Sequence, residues 1–422
     1  VIGVEPEDKM LIILPLDHCF AHVAGFYTMM SYGASLGMVP SGKTGKEALR
    51  NIPGSIKELK PNVMLSVPTL AKSFKKNIET TIKKSGPTVE KLYNFALRNA
   101  IAYNKEGYNK GTDFVDIFRK PLMVLFDKII FRKVREGLGG RMKFFVGGGA
   151  LLDIDLQRYY YAIGIPMYQG YGLSEATPII SANSPAKHIF GSSGKVVSPM
   201  EIKILDADGV EQPYGSKGEI CIKGENVMAG YWKNPKATAD TVVDGWLHTG
   251  DMGYMRDAEM LYVVGRFKSL LIAADGEKYS PEGIEENLVE SSKFIDGALL
   301  HNSQDPYTIA LITPNKEALK AYAKELGLDP SSDEAKEKML EKLQEEVNMY
   351  RKGGRLAGMF PERWLPAAVC VLPEPWTEQN HFLNSSMKVV RGRVEEAYKE
   401  HMEYAYTPEG KNIINKMNLA SL

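Results

Sequence analysis

The residues best equipped for chemistry stand together in Tyr168-Gln169-Gly170-Tyr171-Gly172-Leu173-Ser174-Glu175-Ala176-Thr177. Gly170 and Gly172 let the backbone bend tightly and come close to a ligand, Tyr171 between them offers a flat face, and Ser174 with Glu175 adds a hydroxyl and a carboxylate. That set suits a nucleotide carried with its metal. A glycine-rich turn around a half-buried tyrosine is the plain alternative. Other segments rich in glycine and charge are Phe144-Phe145-Val146-Gly147-Gly148-Gly149-Ala150, Gly245-Trp246-Leu247-His248-Thr249-Gly250-Asp251, Gly265-Arg266-Phe267-Lys268-Ser269 and Met387-Lys388-Val389-Val390-Arg391.

Two further patterns compete for attention. His18 and His22 stand four apart, a spacing that would put two imidazoles on one helical face for a metal. The glutamate of a zinc-protease motif is missing, since Cys19, Phe20 and Ala21 lie between them, so structural or substrate-lining histidines are favoured. Gly37-Met38-Val39-Pro40-Ser41-Gly42-Lys43-Thr44 matches a P-loop, which would make the chain a nucleotide triphosphatase with Gly42-Lys43-Thr44 on the phosphates. That reading needs a long helix afterwards and a later strand ending in aspartate. Pro53 and Gly54 are expected to stop the helix, and the strand Val63-Met64-Leu65-Ser66-Val67 runs into Pro68 with no acid.

Elements must hold these residues in place. At 422 residues the chain is too long for one ordinary core, and 44% apolar with 25% charged residues is the composition of a soluble globular protein. Fifty-two basic side chains balance 52 acidic ones, so no global field draws in nucleic acid. Cys19, Cys221 and Cys370 are too far apart for a disulfide framework or metal cluster, which makes a reducing compartment, the cytoplasm, the default. No apolar run approaches the ~20 residues of a membrane span, and no secretory signal is visible. The first residue is Val rather than Met, which suggests that something has been removed.

Met10 to Leu16 reads as a buried strand and Ala24 to Met38 as a packed helix. Helical spacing recurs over Ala71 to Ile82, Val89 to Tyr103 and Pro121 to Leu138. Arg119, Lys120, Lys128, Arg132, Lys133 and Arg135 are expected to form a solvated helical face, with anionic lipid or a nucleotide as alternatives. Met142 to Val146 should be a central strand whose end, Gly147 to Ala150, faces the stretch from Tyr168 to Glu175 across a crevice. Leu151 to Ala162 would be the crossover helix between these parallel strands. From Gly191 to Gly265 short alternating strands and Asp-Gly turns predict a small barrel or curled sheet. A compact α+β unit with helices at Pro281 to Glu290, Lys316 to Leu326 and Glu334 to Tyr350 closes the chain.

In their order and separation the glycine-rich and charged segments resemble the core motifs of the adenylate-forming superfamily, and most closely its long-chain fatty acyl-CoA synthetases. The helical insertion from Thr69 to Leu138 is similar to that branch. The resemblance implies an α/β fold: a large AMP-binding domain with a mostly parallel sheet over 1–190, a β-barrel-like subdomain over 191–265, and a smaller mobile α+β domain over 266–422, hinged near Ser269. It implies ATP or AMP, Mg²⁺ and coenzyme A as cofactors and a fatty acid as substrate. Gly148, Gly149 and Ala150 would border the adenine, with Tyr171 stacked on it between Gly170 and Gly172. Ser174 would contact the phosphate and Glu175 would hold Mg²⁺. Asp251 would accept the ribose hydroxyls and Arg266 would reach ribose or phosphate. Gly276 would lie beside the pantetheine tunnel, His18 would line the acyl region, and Lys388 would be the catalytic lysine.

Three departures accompany the resemblance. The position of Ser269 commonly holds an acid or lysine, and Asn384-Ser385-Ser386 replaces a more rigid Thr-Pro-Thr. The family's phosphate loop, which precedes the element at Leu14 to His18, is absent, so the chain reads as an N-terminally truncated synthetase. Alternatives are an acyl-AMP ligase loading a carrier protein and a non-catalytic adenylate-binding remnant. Peripheral membrane contact is compatible with this reading, and nucleic acid is not expected as a partner.

Overall fold

Short apolar runs in the first half of the chain have the look of strands buried on both faces, and in the computed structural model they lie side by side as such. The structure describes residues 3–40, 45–107, 110–266, 269–384 and 388–422. It divides into two compact units, Val1–Val264 and Gly265–Leu422. In the first, β1 (Lys9–Ile12), β2 (Ser35–Met38), β3 (Val63–Ser66), β4 (Phe144–Gly147) and β5 (Met167–Gly172) pair in parallel in the order β2-β1-β3-β4-β5. Every residue of β3 and β4 is buried.

At β5 the sheet changes sense. Its first half bonds in parallel to β4, with Phe145 opposite Met167 and Gly147 opposite Gln169. Its second half bonds antiparallel to β6 (Ile179–Ala182), with Gly170 opposite Ala182 and Tyr171 opposite Ser181. The sheet continues through β7 (Gly194–Val196), β8 (Glu201–Leu205), β9 (Gly218–Lys223), β10 (Val242–Val243), β11 (Trp246–Met255) and β12 (Met260–Arg266), twelve strands in all among the described residues. The strands expected to curl into a small barrel are therefore hydrogen-bonded into the same sheet as the parallel ones. The glycines of β5 permit this: a Cβ at Gly172 would lie 1.9 Å from the Pro178 carbonyl oxygen, and one at Gly170 would lie 3.3 Å from that of Ser181.

Helices Pro68–Lys84, Pro87–Asn104 and Ile154–Ala162 contribute to one core with Phe145, which is fully buried. Prolines at the first helical positions forgo an amide that would have no intrahelical partner. Asp153 caps the third helix by accepting from the Leu156 amide at 2.9 Å. Inside the core the Tyr93 hydroxyl donates to that of Tyr159 at 2.9 Å, and the Tyr160 hydroxyl donates to the Ala71 carbonyl at 2.6 Å. Burial pushes the Tyr93 phenol up to about 12.

Three local expectations are corrected. The helix after the P-loop-like segment runs from Gly45 to Leu59, straight through Pro53. Proline removes one backbone bond there, yet the buried Ile52 and Ile56 tie the helix to the core on either side of it. Residues 41–44, and with them Gly42, Lys43 and Thr44, lie outside the described residues. The single helix expected over Ala24 to Met38 is a π-helical turn Phe20–Tyr27 and a short helix ending at Ser31, after which Gly33 at φ +66° turns the chain into edge strand β2. The helix expected from Pro121 begins at Asp116, where Arg119 pairs with the buried Asp116 carboxylate at 3.0 Å, and continues to Gly137. Arg135 forks onto Asp127 at 2.6 and 2.9 Å, whereas Lys120, Lys128 and Lys133 are exposed.

The second unit has its own core. A small hairpin, β13 (Leu271–Ile272) with β14 (Lys278–Tyr279), precedes a three-stranded sheet of β15 (Ile295–His301), β16 (Ile309–Pro314) and β17 (Ala368–Val371). Helices Glu282–Ser291, Lys316–Glu325 and Asp333–Asn348 contribute to that core, close to where the sequence put them. Asn418 binds β17, accepting from the Val371 amide at 2.8 Å and donating to the Val369 carbonyl at 2.9 Å.

Two substitutions test this packing. Phe145→Ala should cost the first unit about 3–5 kcal/mol in urea unfolding; a loss below about 1 kcal/mol would show that Phe145 is not central. Gly172→Ala should destabilise by at least about 1–3 kcal/mol, because its Cβ meets backbone rather than a movable side chain, and an unchanged melting temperature would contradict the β5–β6 pairing.

Candidate active site

Parallel strands present their carboxyl ends, and the loops beyond them, along one edge of the sheet. Three of these loops meet. Cys19, in the loop after β1, places its sulfur 3.3 Å from the Ser174 hydroxyl beyond β5. Phe20 lies against the turn beyond β4, where a Cβ on Gly148 would stand 2.9 Å from the ring. The Gly148 amide donates to the Ser66 carbonyl at the end of β3 at 3.1 Å. Gly149 takes φ +84°, and Gly149 and Ala150 are exposed. The element with His18, the turn Gly148–Ala150 and Ser174 therefore gather at one edge of the sheet. His18 accepts the Phe20 amide on Nδ1 at 3.2 Å, while the exposed His22 stacks on Tyr27 at 4.7 Å. The two imidazoles are thus engaged separately.

Tyr171 and Asp251 are far apart in sequence and adjacent in space: the phenol donates to Asp251 Oδ2 at 2.6 Å. The change of sense at β5 makes this meeting possible, since β11, which carries Asp251, belongs to the antiparallel part of the sheet. An aromatic face bonded to a carboxylate is a surface on which a base and its sugar can sit together.

Glu175 lies in the 3₁₀ turn Ser174–Ala176. Its carbonyl accepts the Met228 amide and its Oε1 accepts the Tyr231 hydroxyl, both at 2.8 Å. Burial first, and then this bond, raises the Tyr231 phenol above its ordinary value. Thr177, left-handed at φ 54°, donates its hydroxyl to the Asn226 carbonyl at 2.8 Å, which fixes the exit of the turn. A half-buried carboxylate beside a hydroxyl is a hard-oxygen donor set that suits Mg²⁺, an ion that commonly takes one or two protein carboxylates and completes its shell with water and phosphate.

The remaining expected residues lie at or beyond the start of the second unit. Arg266 ends β12 and is exposed; Lys268 is outside the described residues, and Ser269 is described. Gly276 takes φ +85° in the turn between β13 and β14, with open space where a Cβ would be. Lys388 is exposed on a small loop closed by Leu383 and Val389. The Lys388 amide donates to Asn384 Oδ1 and the Asn384 amide donates to the Lys388 carbonyl, both at 2.9 Å. Asn384 is therefore bonded to Lys388 twice; Ser385 and Ser386 lie outside the described residues.

Sequence reasoning missed Cys19, Tyr231 and Glu219. The last of these accepts the Gly250 amide next to Asp251 at 3.0 Å. Each meets its partner across a long stretch of chain and belongs to no local pattern. Glu219 pairs with Met252 in the ladder and comes beside the Thr249–Asp251 bulge only once β9 and β11 are paired, so no local sequence signal pointed to it.

Comparison with known proteins fits this geometry. The family model described as AMP-binding enzyme matches residues 1–232. The chain is 29% identical over 411 residues to long-chain-fatty-acid–CoA ligase 5 of Rattus norvegicus, covering 95% of this chain and 56% of that protein. It is 28% identical over 439 residues to probable acyl-activating enzyme 16, chloroplastic, of Arabidopsis thaliana, covering 96% and 59%. The chain thus spans less than two thirds of the length of these relatives. Among solved structures, the A domain of carboxylic acid reductase from Segniliparus rugosus, in complex with AMP and a co-purified carboxylic acid, has the same fold, with a TM-score of 0.63 at 20% identity over 94% of this chain and 54% of that one. On the family match, which takes in more than half of its residues, the chain belongs to the AMP-binding enzyme family.

Proposed function

We propose that these residues are the greater part of a long-chain fatty acid–CoA ligase. The observation that carries the reading is the Tyr171–Asp251 bond, which sets an aromatic face suited to a base beside a carboxylate suited to the hydroxyls of its ribose. The names of the curated relatives support the acyl class and the thiol acceptor.

In the first half-reaction a fatty acid carboxylate attacks the α-phosphorus of ATP, the bond to pyrophosphate breaks, and acyl-AMP forms. In the second the CoA thiolate attacks the acyl carbon and AMP leaves. The mixed anhydride divides one difficult substitution into two easier ones. Gly148, Gly149 and Ala150 border the adenine, Tyr171 stacks on it, and Asp251 exchanges the phenol for the ribose hydroxyls. Ser174 contacts the phosphate. Glu175 would hold Mg²⁺, whose charge would offset the repulsion between two anions. Arg266 contributes a permanently charged fork toward ribose or phosphate. Lys388 stabilises charge developing on the α-phosphate, Gly276 lets pantetheine pass, and His18 lines the acyl path.

Three free cysteines support a reducing compartment, the cytoplasm. No helix among the described residues is long and apolar enough to cross a membrane. Peripheral contact with an anionic bilayer is supported by the exposed Ile117, Phe118, Val124 and Leu125 alternating with exposed Lys120 and Lys128. Phe118→Asp should reduce co-sedimentation with phosphatidylserine vesicles and leave the fold intact; equal recovery with the wild-type protein would reject this contact.

The decisive experiment separates the half-reactions in the intact protein. Lys388→Ala should lower acyl-AMP formation from palmitate and ATP by about 10²–10³-fold, while thioester formation from supplied palmitoyl-AMP and CoA continues. Equal loss of both half-reactions would remove Lys388 from its role. Replacing CoA with a carrier protein bearing phosphopantetheine asks the same enzyme which thiol it serves.

A further inference from the structure

The bond that presents Asp251 to a ligand depends on a local break in the sheet. Strands β9 and β11 pair antiparallel with His248 opposite Cys221 and Met252 opposite Glu219. Between these pairs β11 advances from 248 to 252 while β9 moves only from 221 to 219, so Thr249, Gly250 and Asp251 bulge out of register. Bulges beside functional sites re-aim a side chain at the cost of ladder hydrogen bonds, and the groups released must find other partners. Here side chains supply them. Thr249 donates its hydroxyl to the Ile220 carbonyl at 2.7 Å and accepts the Asp251 amide at 3.1 Å. Gly250, at φ +69°, donates its amide to Glu219 Oε1 at 3.0 Å.

The second oxygen of Glu219 is also engaged. Its Oε2 lies 2.9 Å from His248 Nδ1, on the residue that enters the bulge. A carboxylate can only accept, so Nδ1 carries the proton. The Cys221 sulfur, 3.4 Å from the same nitrogen, is a weaker neighbour, and burial pushes its thiol up to about 12. One carboxylate therefore clamps both the entrance and the middle of the turn whose last residue is Asp251. Glu219 and His248 are only partly exposed, at 20% and 30% of their side chains, so this clamp is shielded from competing water on most sides.

We propose that Glu219, held by His248, is a positioning residue that sets the Asp251 carboxylate for the two hydroxyls of a ribose. The inference rests on the reading of Asp251 as the ribose acceptor. Glu219 does not touch the ligand; it acts by fixing the bulge. Without it the Gly250 amide loses its acceptor, the turn samples other conformations, and Asp251 no longer meets both hydroxyls at once.

The test is calorimetric titration of the full chain with AMP and with 2′-deoxy-AMP, whose affinity ratio reports recognition of the second hydroxyl. Asp251→Ala should bring that ratio close to one. Glu219→Ala should weaken AMP roughly tenfold, the scale of a lost hydrogen bond with its partner left unpaired, and collapse the same ratio. Glu219→Gln, which keeps an oxygen for the Gly250 amide, should restore most of it. The double variant should be no worse than Asp251→Ala, since the two act through one carboxylate. Should Glu219→Ala fail to fold, His248→Ala leaves the Gly250 bond in place and should still lose part of the ratio. An undiminished ratio in Glu219→Ala or His248→Ala, with Asp251→Ala affected, would overturn this inference alone. An undiminished ratio in Asp251→Ala would overturn the ribose reading and the inference with it. Glu219, Cys221 and His248 also bring three metal-binding atoms within 4.8 Å of one another, so stoichiometric zinc in the purified protein, lost in Cys221→Ser, would assign the cluster to a metal and overturn the positioning role.

Discussion

Strand β5 bonds in opposite senses along its two edges, and the first unit is arranged around that constraint. Its parallel half aligns it with β4, so the turn after β5 lies along the same edge of the sheet as the turns after β1 and β4. Its antiparallel half recruits β6 and, through it, the strands that carry Glu219 and Asp251. A strand with a side chain at Gly172 would collide with the Pro178 carbonyl, and the two halves of the sheet would not join at this register. Glycine acts here less as a flexible joint than as an absence of volume.

A common arrangement recurs at the groups proposed to meet a ligand. Asp251 accepts Tyr171, Glu175 accepts Tyr231, and Ser174 lies against Cys19. These partners hold polar side chains in defined positions, and a nucleotide or its metal would exchange one hydrogen bond for another. Such an exchange changes the number of bonds little, so affinity depends on how well each group is already aimed. The Glu219 clamp on the Thr249–Asp251 bulge is a second layer of the same preparation.

The second unit prepares its groups independently. Gly276 occupies a left-handed turn position, which leaves open space beside the backbone where a side chain would project. Lys388 stands on a loop whose base is tied twice by Asn384. Arg391 donates to the Leu300 carbonyl and the Glu285 carboxylate, both at 2.6 Å, which ties the chain just beyond Lys388 to β15. Burial raises the Glu285 carboxyl, and Arg391 draws it back.

The sequence by itself determined the repeated units of local physics. Continuous apolar runs such as Val63 to Val67 and Met142 to Val146 read as buried strands because they are apolar on both faces, and helices such as the one over Val89 to Tyr103, which runs from Pro87 to Asn104, read from their apolar spacing. Glycines flanking Tyr171, and the order of segments through Lys388, made the family legible, because close backbone approach and charge placement need particular residue types at particular spacings. Tertiary packing decided what local rules mispredict: Pro53 remains inside a helix because Ile52 and Ile56 are buried on either side of it. Packing likewise decided that the short alternating strands join the parallel ones through β5. It also decided every pairing between distant residues, Tyr171 with Asp251, Tyr231 with Glu175 and Glu219 with the Gly250 amide. Hydrogen bonds of this kind depend on positions set by whole strands, and no periodicity in the chain encodes them.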